Sequence, residues 1–141
     1  PDHDELFRRI GDDLGYGRDV YERIVAVDEM AAIVDFFRRM AHEIPWSASL
    51  CATAYVEAEV VEISQTVGRA LVQHYGCRPE WGGMNYAVHE EVEAEESDET
   101  KHAILKHLEA PGHMDAAEAA MREMHRLLAA HADGLARRHL K

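Results

Sequence analysis

Apolar residues recur three and four positions apart along nearly all of this chain of 141 residues. That spacing places them on one side of an α-helix, whereas a half-buried strand would alternate apolar and polar residues. The short β-branched pair at residues 60 and 61 lies inside one of these helical patterns. A chain of this length has room for one hydrophobic core rather than two. We therefore predict an all-α protein with a single helical-bundle domain over residues 1–141.

Glycine and proline divide this pattern into segments. Gly15 and Gly17 interrupt it first, Gly76 follows a long apolar segment, and Pro111 with Gly112 forms a turn signal. The predicted helices cover residues 2–14, 18–26, 29–43, 47–75, 84–109 and 115–139. On the third of them, the residues expected to face inward are Met30, Ile33, Val34, Phe37 and Met40.

The charge balance excludes several classes of partner. Twenty-seven acidic residues against fifteen basic ones give a net charge of −12. A nucleic-acid-binding surface needs clustered basic residues, and so does docking on an anionic membrane. No apolar run approaches the roughly 20 residues that cross a bilayer. Cys51 and Cys77 lie in no CxxC spacing, so we expect reduced thiols and a cytoplasmic protein.

An acidic run follows Tyr86. Seven of the ten residues from Glu90 to Glu99 are acidic, and His89, Glu93 and Glu96 share one helical stripe. A stripe that points inward would form a hard-metal site, whereas one that points outward would be a solvated acidic face. Like charges three and four residues apart destabilise a helix, and a bound cation would offset that cost.

Three glutamates interrupt the apolar stretch of the long fourth helix: Glu57, Glu59 and Glu62. We expect at least one of them to point toward the core. Burying an unpaired carboxylate costs on the order of several kcal/mol, so a buried glutamate should be protonated, paired or metal-bound. Tyr55 and Tyr86 precede candidate ligands by two and three residues, and we expect them to line a substrate pocket.

The runs His74-Tyr75-Gly76 and Tyr86-Ala-Val-His89-x-x-x-Glu93-x-x-Glu96 resemble the heme-oxygenase-like di-iron oxidases, relatives of the TenA and pyrroloquinoline-quinone synthase proteins. The resemblance implies a heme-oxygenase-like (TenA-like) helical bundle. In that family a late core helix carries His-x-x-x-Asp/Glu-x-x-His as metal ligands. An earlier core helix supplies a glutamate, and the first core helix supplies Glu-x6-His.

Residue by residue, His89 and Glu93 match the first two positions of the late motif, and Glu96 stands where the family has a histidine. Glu57 falls at the glutamate of the middle helix, and His3 at the histidine of the first pair. The glutamate seven positions before His3 would precede Pro1, so we expect this sequence to be the later part of a longer chain. The metal ligands implied by the resemblance are His3, Glu57, His89, Glu93 and Glu96.

The resemblance implies an iron-dependent oxidoreductase with O2 as cosubstrate. Two iron ions, or manganese in their place, would bind between the helices with Glu57 as a bridging ligand. The substrate would be a small molecule such as an amino acid or a fatty acid. We expect no nucleic-acid or membrane partner, and a homodimer is one expected assembly.

Two other functions fit the same residues. One is a metal-independent enzyme of the TenA or quinone-cofactor branch, in which the pocket binds a heterocycle and His89 or a glutamate transfers protons. The other is a non-catalytic helical bundle that oligomerises or binds a protein. Residues 90–99 would then be a solvated face, and Glu57 would be a surface residue.

Overall fold

The computed structural model describes residues 2–89, 102 and 104–140. Its helices are α1 (His3–Asp13), α2 (Asp19–Arg23), α3 (Asp28–His42), α4 (Trp46–Tyr75) and α5 (His113–His139). Residues 84–89 and 104–108 are also helical, and no strand occurs in the described ranges. The all-α prediction is confirmed. The middle of the predicted helix over 84–109 lies outside the described residues.

The helix ends follow from local chemistry. The Asp2 carboxylate accepts a hydrogen bond from the Glu5 backbone N–H at 2.9 Å and so caps the start of α1. Gly76 follows α4 with φ at 76°, and Gly112 precedes α5 with φ at 78°. Glycine adopts this left-handed conformation without a Cβ penalty, which is why the predicted breaks fall at these positions.

The described residues divide into two compact units. The first unit contains residues 2–25 and 57–89, and the second contains residues 26–56, 102 and 104–140. Helix α4 belongs to the second unit up to Val56 and to the first from Glu57 onward. The single-domain assignment stays a prediction. None of the helices described is both long and apolar enough to cross a bilayer.

The core of the second unit lies where α3 packs on α5. Its buried residues are Ile33, Phe36, Met40, Ala52, Ala120, Met124 and Leu127. The inward positions predicted on α3 were partly wrong, because Val34 and Phe37 are 40% and 39% exposed. Residues 33, 36 and 40 form the stripe that meets α5, and residues 34 and 37 lie at its margin.

In the first unit, Asp13 ties the end of α1 to the turn after α4. Its side chain is 5% exposed and accepts hydrogen bonds from the backbone N–H groups of Arg78 (2.8 Å) and Gly82 (3.0 Å). The Arg78 guanidinium adds an ion pair at 2.7 Å. Burial alone would raise the pKa of Asp13, but these hydrogen bonds and the charge of Arg78 hold it below its usual value.

Trp81 completes the same connection. Its ring lies beneath two guanidinium groups, with Arg9 of α1 at 4.2 Å and Arg78 at 5.4 Å from the ring centroid. Cation–π contacts of this kind favour a fixed ring position. Together with Asp13, Trp81 fixes α1 relative to the turn that leads into residues 84–89.

Candidate functional site

Two of the predicted ligands meet in the first unit. His3 begins α1, and His89 is the last described residue of the helical stretch that starts at residue 84. Their ring centroids are 5.1 Å apart with the planes at 47°. His3 is exposed and His89 is half-buried. Because 86 positions (89 − 3) separate them along the chain, only the tertiary arrangement can bring these rings together.

The separation of the two rings fits a shared cation. A metal lies about 2.1 Å from an imidazole nitrogen and hence about 3.2 Å from the ring centroid. Two such ligands at angles of about 90–110° would place their centroids about 4.5–5.2 Å apart. The observed 5.1 Å falls in this range. Direct contact between two rings spans about 4.5–7 Å, so metal uptake has to decide between the two explanations.

Glu57 belongs to the same unit and to a defined stripe of α4. Ser64 and Gly68 follow it at intervals of seven and four residues, which places all three on one side of the helix. Ser64 is buried, and a Cβ added to Gly68 would lie 2.9 Å from the Cβ of Tyr86. This side of α4 therefore faces residues 84–89 where it passes them.

All three glutamates of this stretch, Glu57, Glu59 and Glu62, are exposed. The expectation that one of them points toward the core was wrong. Buried small residues of α4 occur before them, at Ala48 and Ala52 in the second unit, and after them at Ser64 in the first. Glu57 lies two turns before the buried Ser64 on this stripe and is itself exposed.

Glu93 and Glu96 lie outside the described residues, and their role as ligands stays a prediction. Among the residues that are described, no group of three or more His, Cys, Asp or Glu side chains could hold a metal ion. What the described part of the chain contributes to the candidate site is the pair His3 and His89.

The two tyrosines expected near the pocket lie in different units. Tyr86 is half-buried in the first unit and lines a groove of about 270 Å³ between α4 and residues 84–87, and burial raises the pKa of its hydroxyl. Tyr55 lies in the second unit, where its hydroxyl is 2.6 Å from Nδ1 of His125. No local sequence signal pairs His125 with Tyr55, because 70 residues separate them.

A serine–histidine pair occurs in the second unit. The Ser47 hydroxyl, near the start of α4, is 2.7 Å from Nδ1 of His113, the first residue of α5. A nucleophilic serine must be open to its substrate, but Ser47 is 0% exposed. The hydrogen bond therefore satisfies a buried hydroxyl and joins two helix starts.

No protein-family model, curated protein or solved structure matches the chain. Its function has to be inferred from its own residues and their geometry.

Proposed function

We propose that this chain is a non-heme iron oxidase with a heme-oxygenase-like helical fold, using O2 to oxidise a small molecule. The observation that supports it most is the contact between His3 and His89. The sequence motif selects these two residues as ligands although they are far apart along the chain. Their rings lie at a separation that a shared metal would give. The proposed ligand set is His3, Glu57, His89, Glu93 and Glu96.

The donor set suits iron. Imidazole and carboxylate ligands together favour ferrous or manganous ions over soft metals. Bound ferrous iron would supply the electrons for the reduction of O2. His3, Glu57, His89, Glu93 and Glu96 would hold the metals, and the carboxylates would balance the metal charge. An imidazole binds a metal through a neutral nitrogen, so protons compete with the metal and metal affinity should fall in acid.

Metal titration of the purified chain under nitrogen tests the proposal. Co²⁺ is a useful substitute for Fe²⁺ because its visible absorption reports the ligand field directly. We expect His3→Ala and His89→Ala each to weaken Co²⁺ and Fe²⁺ binding by about tenfold or more, since even outer-shell changes cost 10–100-fold. His139→Ala, at the exposed end of α5, should leave the affinity unchanged.

Two controls make the result decisive. The metal-free His89→Ala protein should keep the wild-type unfolding midpoint, which separates a lost ligand from a lost fold. The iron-loaded protein should then oxidise its iron in air faster than ferrous iron in buffer. A wild-type chain that takes up neither metal, or that binds equally well without both histidines, would show that the rings merely touch.

A further inference from the structure

Arg69 differs from the other arginines. Each of the others has a carboxylate partner within 3.7 Å. Among the described residues, no ion pair or hydrogen bond is found for Arg69. Acidic residues outnumber basic ones by 27 to 15, so an arginine on the surface readily finds a carboxylate. Within the described part of the chain Arg69 is left without a carboxylate, so its charge is available to a ligand.

Arg69 lines the groove between α4 and residues 84–87, and Ser64 lines it as well. Ser64 is only 2% exposed, and its hydroxyl has no hydrogen-bond partner among the described residues. A buried hydroxyl without a partner is uncommon and costs about 1–3 kcal/mol. A cation and an unsatisfied hydroxyl thus line the same groove.

The wall around these two groups is largely apolar, with Val72, Pro79 and Tyr86 among its residues. The volume, about 270 Å³, lies just below the range of about 300–1,000 Å³ that is usual for ligand sites. A ligand that fits should therefore have one polar end and a short apolar or aromatic body.

We propose that this groove binds a small organic monocarboxylate. The guanidinium of Arg69 would pair with the carboxylate, a geometry that allows two parallel hydrogen bonds. The Ser64 hydroxyl would donate a further one. One cation balances one negative charge, and the net charge of −12 opposes multiply charged anions such as phosphate.

This site does not depend on the proposed metal. The lining described for the groove includes neither His3 nor His89. Binding can therefore be measured in the presence of a chelator, and its outcome is separate from that of the metal titration.

Benzoate is a suitable probe, with benzamide as its neutral counterpart of the same shape. Calorimetry or chemical-shift titration of the chelator-treated chain should show benzoate binding at least about tenfold more tightly than benzamide. Arg69→Gln should weaken benzoate binding by about tenfold and abolish the discrimination between the two probes. Ser64→Ala should weaken benzoate binding less than Arg69→Gln does. Arg122→Gln, at an exposed pair on α5, is the matched control and should change nothing.

Three outcomes would overturn the proposal. The first is equal binding of benzoate and benzamide, or no binding of either at millimolar concentration. The second is benzoate affinity that survives Arg69→Gln while circular dichroism shows an intact fold. The third is inorganic phosphate displacing benzoate with higher affinity, which would show a general anion site.

Discussion

At the scale of single residues, Glu5 of the first unit has a pKa well below its ordinary value. Its carboxylate accepts hydrogen bonds from Arg18 at 2.8 Å and from Arg9 at 3.3 Å. The Arg18 hydrogen bond is the main reason that the pKa of Glu5 falls from 4.5 to about 2, against the opposing effect of burial. Arg18 also pairs with Asp12, which joins the segment after α1 back to that helix.

This pKa predicts how acid affects the fold. Because the pKa of Glu5 is lower in the folded state, its ionised form stabilises the protein fully above pH 4.5 and loses that effect as the pH falls toward 2. Glu5→Gln should lower the free energy of unfolding at neutral pH, and its difference from wild type should shrink between pH 4.5 and 2. Urea unfolding across this range measures it.

The matched control is Glu80→Gln, an exposed glutamate in the turn before residue 84. Its free energy of unfolding should stay close to that of wild type over the whole pH range. A difference for Glu5→Gln that is independent of pH would contradict the role assigned to the ion pair with Arg18.

Residues differ in how far the sequence could predict their roles. His3 and His89 were selected by a motif, but nothing in the spacing of the chain could show that their rings touch. Arg69 left no signal, because whether an arginine finds a carboxylate depends on packing between elements, as with Arg138 and Glu29. Ser64 and Gly68 lie four residues apart on α4, a small-residue spacing that could have indicated a close helix approach.

At the scale of elements, helix ends were predicted better than buried faces. Breaks at Gly76 and Gly112 are local conformational effects, so the sequence places them within one to three residues. The face of α3 was missed by one position at Phe36 and Phe37. A buried stripe through Phe36 and one through Phe37 both fit helical spacing. Only the packing of α5 determines which of the two is buried.

The close approach of α4 to Tyr86 gives a prediction for Gly68→Ala. An added Cβ would lie 2.9 Å from the Cβ of Tyr86, which is anchored to the backbone and cannot swing away. Overpacking of this kind costs about 1–3 kcal/mol, and the better helix propensity of alanine returns about 1 kcal/mol. We expect a net destabilisation of up to about 2 kcal/mol in thermal or urea unfolding.

Gly134→Ala on α5 is the comparison variant. Its added Cβ would meet the ends of the Glu29 and Arg138 side chains, which can rotate aside. We expect its stability to stay within about 1 kcal/mol of wild type and above that of Gly68→Ala. If Gly68→Ala were the more stable of the two variants, α4 and residues 84–89 would be packed less tightly than the 2.9 Å separation indicates.

At the scale of the whole molecule, one helix belongs to both compact units. Helix α4 enters the core of the second unit through Ala52 and carries Ser64 and Gly68 in the first. Each unit therefore contains part of the same hydrogen-bonded helix. Destabilising one unit should therefore affect the other through α4, and the size of this effect can be measured.

Met124→Ala measures that property. Met124 is 0% exposed in the core of the second unit, and its truncation should cost about 2–5 kcal/mol. We expect amide hydrogen exchange to show most of this loss at residues 47–56 and less at residues 62–75. Met114→Ala, at a residue that is 58% exposed, is the control and should stay within about 0.5 kcal/mol of wild type.

An equal loss of protection along the whole of α4 would contradict this expectation. The two units would then open as one cooperative body.

The placement of the Trp81 ring against two guanidinium groups has an optical consequence. The chain contains two tryptophans, and each unit contains one of them: Trp81 in the first, and Trp46 in the second beside the His107 ring. Trp81 is half-buried, whereas Trp46 is 53% exposed, so their emission should differ in wavelength. Trp46→Phe and Trp81→Phe would each leave a single tryptophan. The unfolding of each unit could then be followed by the fluorescence of the tryptophan that it contains.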